Sequence, residues 1–251
     1  MLVIANIFQP LENIAEAIIK FFQGTVGLSW GLSIIALTFT VRLAVLPLSL
    51  TGIRSMRRLQ ILAPKMKEVN ERYKNDPERK QRELMEIYKE NNVNPFSSCL
   101  PFIIQIPFFI GIYQLLRSSG FTADVTASGA SKSFLFVSSI IETPKGAEAV
   151  VLIILFFVTT ALSLLYTTAT NPAAASGAQR YIFLIFPVLF APFIASQAAG
   201  LGVYWIATNV WSLGQQMVVQ KIIPAPKPPS PEEAKATKAP PPPPRKRKKR
   251  K

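Results

Sequence analysis

Long apolar runs alternate with blocks of charge along this chain, and the runs set its architecture. The run from Leu28 to Leu50 has the length of a spanning helix, because a hydrocarbon core of about 30 Å takes roughly 20 helical residues. Comparable runs cover about 95–116, 147–168, 180–196 and 200–220. Pro101 and Pro107 are expected to break the ladder of the second, with Gln105 between them, and Pro187 and Pro192 to bend the fourth. The third ends rich in hydroxyls, with Thr159, Thr160, Ser163, Thr167 and Thr168, before Asn171-Pro172 opens a brief cytoplasmic loop. Tyr204 and Trp205 start the fifth, which also holds Asn209, Gln215 and Gln216. The pattern predicts an all-α polytopic membrane protein with five transmembrane helices over 28–222.

The segments between the runs have patterns of their own. In residues 1–27, Leu11, Ile14, Ala15, Ile18, Ile19 and Phe22 recur at helical spacing opposite Glu12, Glu16 and Lys20. This predicts an amphipathic helix ending at Gly24 and Gly27 and lying in the outer interface, with a packed core helix as the alternative. Over 52–92, Leu59, Leu62, Met66, Val69 and Tyr73 form one stripe, and Leu84, Ile87 and Tyr88 another. Asn75-Asp76-Pro77 between them is a turn signal, which predicts a helical hairpin whose first arm Pro64 interrupts or restarts. Residues 118–146 are rich in Ser, Thr, Ala and Gly and read as an external loop, with a partly embedded helix over 134–141.

Charge orients the chain. Residues 51–92 hold eleven Lys and Arg against seven Asp and Glu, which places the hairpin in the cytoplasm. The first span then runs from outside to inside, and five spans put the N-terminus outside and the C-terminus in the cytoplasm. Residues 223–251 are Pro-rich and cannot bury a core, so they read as a disordered tail. The tail ends in Arg245, Lys246, Arg247, Lys248, Lys249, Arg250 and Lys251. Anionic lipid and nucleic-acid phosphate, as on a ribosome beside the membrane, are both open readings for those cations. Cys99 is the one cysteine and there is no histidine, which excludes a disulfide framework, a Cys/His zinc site and a histidine base. The start MLVIANIFQP lacks a basic n-region and does not read as a removable signal peptide.

Arg42 is the exception within the apolar runs. It lies eight residues before Leu50, or about 12 Å along a helix. An arginine at the centre of a span costs about 2.5–3.5 kcal/mol, so it should face protein or water. Its guanidinium either snorkels to the headgroups or sits in a polar cavity, and Pro47 nearby favours the cavity. By residue type Thr38, Gln105, Thr159, Ser163, Trp205, Asn209 and Gln215 are candidates to face it. The alternative for these is hydrogen bonding between helices, or, for Trp205, interfacial anchoring.

Several fragments, taken in order, carry a family resemblance: Trp30-Gly31, Thr38 to Arg42, Pro47-Leu48, Leu62 to Lys65, Leu84-Met85 and Tyr88-Lys89. Val93 to Pro95, Cys99 to Pro101, Ile104 to Phe109, Pro187, Gly200-Leu201, Tyr204-Trp205, Asn209 and Gln215-Gln216 continue it. Together they resemble the YidC family of membrane insertases, in the wider Oxa superfamily. The resemblance implies a five-helix core around a hydrophilic groove that opens to the cytoplasm and sideways to lipid but is closed outside. It implies that Arg42 sits in that groove, and that Thr38 and Trp205 line the path of a client helix. The hairpin would receive nascent membrane proteins, and the basic tail would bind ribosomes. The Sec translocon and the signal recognition pathway join the partners implied, with membrane lipids and without DNA. Two features depart from the family pattern. The external loop carries Phe121-Thr122-Ala123-Asp124 in place of a Trp and an Asp-Leu-Ser type motif, and Tyr166 stands near where many relatives have glutamine.

The expected function is insertion and chaperoning of membrane proteins in a bacterial inner membrane, without nucleotide hydrolysis, cofactor or metal. No phosphate-cradling Gly-rich loop is present. A ribosome-tethering scaffold and a small anion transporter using Arg42 are the rival classes. An intramembrane protease is disfavoured, because the spans hold no Asp or Glu beyond Glu148 at the very start of the third and no His–Glu zinc motif exists.

Overall fold

A computed structural model describes residues 2–91, 93, 100–170 and 178–222. Cys99, Asn171-Pro172, the start of the second span at 95–99 and the whole tail, with its seven terminal cations, lie outside the described residues. Within them the chain is all-helical, apart from an isolated bridge between Phe134 and Val137. The helices are α1 (Leu2–Lys20), α2 (Trp30–Ala44), α3 (Leu46–Arg72), α4 (Pro77–Glu90), α5 (Leu100–Arg117), α6 (Ser119–Ala127), α7 (Ala147–Thr170), α8 (Ala178–Ala195) and α9 (Ala199–Ile222). A π-helical turn, Phe21–Thr25, follows α1. Residues 57–93 form one compact unit, and the remaining described helices form another.

The hairpin unit follows its sequence. Asp76 accepts a hydrogen bond from the Arg79 amide at 3.0 Å, with Pro77 at the first helical position, so α4 starts where the turn signal put it. The Arg79 guanidinium sits 5.0 Å above the Tyr73 ring across the turn. Tyr88 is partly buried, which raises its phenol pKa above the ordinary value. Pro64 does not interrupt the first arm: α3 runs through it. The proline lies on an exposed face, where solvent can meet the carbonyl that loses its donor.

The larger unit holds a break within the run expected to be the first span. The run 28–50 is not one straight helix, because α2 ends at Ala44 and the axis turns by 57° into α3. Val45 leaves helical geometry (φ −89°, ψ 0°), and the ladder resumes when Ser49 N donates to Val45 O at 3.0 Å. Pro47 supplies no N–H at this break and falls in the first turn of α3, where none is needed. Pro107 leaves α5 as a single helix, and α8 likewise runs through Pro187 and Pro192. Among the described residues, only α7 is long and apolar enough to cross a bilayer by itself, with α2 and α3 qualifying as a bent pair.

The core is built where α2 and α7 each pack on α9 and where α1 lies along α2 and α5. Trp30, Ile34, Ile112, Leu115, Leu152, Ile194 and Leu201 are nearly or fully buried there, and Ala15 and Ile19 of α1 join them. Residues 118–146 close over one end. The expected helix at 134–141 is absent. The helix of this segment is α6, whose cap Ser118 accepts from the Phe121 amide at 3.2 Å. Phe134 and Val137 instead bond each other's backbones in a tight turn, with exposed Leu135 at φ 53°. Serines on both sides favour such local bonding over helix. Phe121 packs edge-on against Trp30 at 5.4 Å, so this loop has an aromatic anchor despite its departure from the family motif. Asp124 pairs with Lys20 at 2.6 Å, and that carboxylate, then Glu16, raises the Lys20 pKa. The loop is sewn to α9 by Gly200 N donating to Ile140 O and Ala199 N donating to Glu142 O, both at 2.8 Å.

Gly31 lets this end close: a Cβ there would lie 2.2 Å from the Phe134 ring. Gly31→Ala is therefore expected to lower stability by about 1–3 kcal/mol through overpacking. Denaturant unfolding in detergent checks this, and adding Phe134→Ala should recover part of the loss.

Candidate functional site

Thr38 and Arg42 lie one turn apart on α2, so helical geometry aims them to one side, and Ser49 lies on α3 beyond the break at Val45. The structure brings all three to one cavity of about 30 Å³, with Leu37, Val41 and Val45 between them. Gln105, Phe108 and Ile112 of α5, Tyr204 of α9, and Leu11, Ile14 and Ala15 of α1 complete the lining. Gln105 Nε2 donates to the Tyr204 hydroxyl, tying α5 to α9. Thr38 is buried, and its hydroxyl donates to Ile34 O at 2.8 Å. Arg42 is half-buried, and among the described residues no carboxylate pairs with it and no hydrogen bond holds it. An unpaired guanidinium in such surroundings attracts anions. A carboxylate at 4 Å gains about 4 kcal/mol at an effective dielectric of 20.

Three further candidates assemble elsewhere. Asn209 Nδ2 donates to Thr160 Oγ1 at 2.8 Å and to Thr159 Oγ1 at 3.2 Å. Two turns on, Thr167 donates to Gln216 Oε1 at 2.7 Å, while Gln216 Nε2 reaches Ser163 Oγ at 3.5 Å. Tyr166 donates to Gln220 one turn further. Thr159, Ser163 and Asn209 thus form rungs of a polar seam between α7 and α9, away from the Arg42 cavity. Trp205 packs in an aromatic cluster, 4.7 Å from Phe190 and edge-on to Phe109 at 5.6 Å. Gln215 accepts from Trp211 Nε1 at 2.9 Å on its own helix, and Trp211 meets the Phe39 ring at 5.2 Å. Of the eight candidates, Arg42, Thr38 and Gln105 share the cavity and the other five do not line it.

Two cavity residues escaped the sequence reading. Ser49 follows Arg42 by seven residues, a spacing that could have revealed it. Tyr204 reads from sequence as the start of a span, and only the packing of α9 against α2 brings it to the cavity.

Residues 21–226 match the family described as 60Kd inner membrane protein. The chain belongs to this family. Curated relatives named membrane protein insertase YidC agree with that. The one from Streptomyces avermitilis is 34% identical over 236 residues, covering 82% of this chain and 55% of the relative. The one from Chlamydia trachomatis is 35% identical over 237 residues, covering 86% of this chain and 29% of the relative. That of Helicobacter pylori is 35% identical over 196 residues, covering 78% and 34%. The chain spans about half the length, or less, of these relatives. The resemblance drawn from scattered motifs is thus a family membership, and this 60Kd inner membrane protein relative is a membrane protein.

The seam gives a test within this family member. Asn209→Leu should cost about 0.6–1.7 kcal/mol, the range for hydrogen bonds between membrane helices. Gln216→Leu should cost a similar amount, and the pair should add within about 0.5 kcal/mol. Reversible unfolding in mixed micelles reads both.

Proposed function

We propose that this protein is a membrane protein insertase. The observation that carries the reading is Arg42, charged and without a counter-ion among the described residues, in a cavity that α1, α2, α3, α5 and α9 line in a chain whose relatives are named insertases. Five spans make up the core: α2 with the start of α3, then α5, α7, α8 and α9. The Lys/Arg excess of the hairpin puts it in the cytoplasm, and with it the C-terminus. Residues 28–222 form the working core, and 223–251 the cytoplasmic tail.

A client must carry a short hydrophilic tail across the hydrocarbon. Each unsolvated charge or peptide group costs several kcal/mol there. A groove that admits water from the cytoplasm as far as Arg42 shortens that barrier. The fixed positive charge draws acidic residues of the tail inward, because screening is weak in a low-dielectric site. Thr38 and Gln105 offer hydrogen-bonding partners beside it. The client's apolar helix then leaves sideways, driven by about 25 cal/mol per Å² of apolar surface that it removes from water. No bond is made or broken, so no catalytic residue, nucleotide, metal or cofactor enters the scheme. Nascent membrane proteins are the clients, delivered by ribosomes that the tail's seven cations hold at the membrane. Anionic lipid, the Sec translocon and the signal recognition pathway complete the partners proposed.

Purified protein in liposomes tests the reading with two clients, one with an acidic N-terminal tail and one with a neutral tail. Arg42→Ala should cut insertion of the acidic-tailed client at least tenfold and affect the neutral one less. Arg42→Lys should restore most of the activity. Equal insertion by all three proteins would remove Arg42 from the mechanism, and no insertion by the unaltered protein would remove the insertase reading.

A further inference from the structure

Helices α2 and α5 both line the Arg42 cavity yet make little direct contact with each other; α1 lies against both. One wall of the cavity is therefore α1, through Leu11, Ile14 and Ala15. The fit is close at one point, where Gly111 has no side chain: a Cβ there would stand 3.3 Å from Leu11 Cβ. The outer end of α1 is fastened by buried Ile19 and by the Lys20–Asp124 pair at 2.6 Å. Beside the cavity Ala15 is buried too, but among the described residues no ion pair holds that part of α1. Ile14 is 52% exposed, and Pro10 removes a backbone hydrogen bond of α1 next to Leu11. The π-helical turn Phe21–Thr25 and Gly27, at φ +79°, connect α1 to α2 and give it a joint.

The chemistry of α1 is that of the client argued above. It presents small and apolar residues at Leu11, Ala15 and Ile19, with Glu12 and Glu16 alongside. We propose that α1 is a resident stopper: it occupies the berth of a client helix between α2 and α5, and a client reaches Arg42 by displacing it. The inference rests on the insertase reading and names its substrate class. The berth takes an apolar helix with a small or slender residue opposite Gly111 and acidic residues within a turn of that contact. In its absence α1 keeps the guanidinium from lipid, which would otherwise meet an unpaired charge.

A reversible lock tests this in the full chain. Leu11→Cys and Gly111→Cys, in a Cys99→Ser background, put two Cβ atoms near the separation of about 3.5–4.5 Å that disulfides need. Oxidation should lower insertion of the acidic-tailed client at least tenfold relative to the same protein reduced, while each single-cysteine variant ignores the oxidant. Equal insertion by the oxidised and reduced protein, with the bond complete by gel shift, overturns the stopper and leaves the insertase reading standing. The rate of bond formation gives a second readout that needs no insertion. A stalled client should slow it at least fivefold, and an unchanged rate with client crosslinked in place overturns the stopper too. An unaltered protein that inserts no client removes the insertase reading, and the stopper with it.

Discussion

An arginine inside an apolar helix has to be given surroundings, and much of this protein is arranged to supply them. Arg42 cannot lose its charge and cannot face hydrocarbon without a cost of about 2.5–3.5 kcal/mol. No carboxylate among the described residues neutralises it. Four helices instead surround it with a few polar groups, those of Thr38, Ser49, Gln105 and Tyr204, set in an otherwise apolar wall. The break at Val45 follows one turn after Arg42, where α2 ends. A counter-ion within the protein would make the site more comfortable and less able to attract one from outside.

Two other devices keep that site local. Side-chain hydrogen bonds join α7 to α9 over Asn209, Gln216 and Gln220, so this pair is held by directional contacts that lipid cannot replace. The loop over 118–146 is pinned to α9 through Ile140 and Glu142, to α2 through Phe134 over Gly31, and to α1 through Asp124. The α1 segment around Leu11 and Ile14 packs against α5 at Gly111 but, among the described residues, has no ion pair of this kind.

Helix type and position were largely legible in the sequence, because apolar length and charge blocks report them directly. The start of α4 at Pro77 and the family motifs were legible too. Proline was over-read: Pro64 and Pro107 sit inside continuous helices, Pro64 on an exposed face where solvent meets the carbonyl that loses its donor. The helix expected at 134–141 failed because the four apolar residues Phe134 to Val137, between Ser133 and Ser138, satisfy their backbone in a turn. For the site, residue type picked Arg42, Thr38 and Gln105 but could not divide the other polar residues. Asn209, Thr159 and Ser163 have the same chemistry in a groove as in a helix–helix seam, and only the pairing of α7 with α9 decides between them. Tyr204 was hidden for the same reason, its role being set by a contact between distant helices.

The claim that stands or falls first is that Arg42 lies at the end of a water path from the cytoplasm that stops short of the outer face. Single cysteines at Thr38, Ser49 and Asn209, each in a Cys99→Ser background, can be exposed to a membrane-impermeant maleimide from either side of oriented vesicles. Labelling at 49, and more slowly at 38, from the cytoplasmic side alone, with 209 protected from both, is the expected result. Labelling at 38 from the outer side, or at neither cavity position from either side, would contradict it.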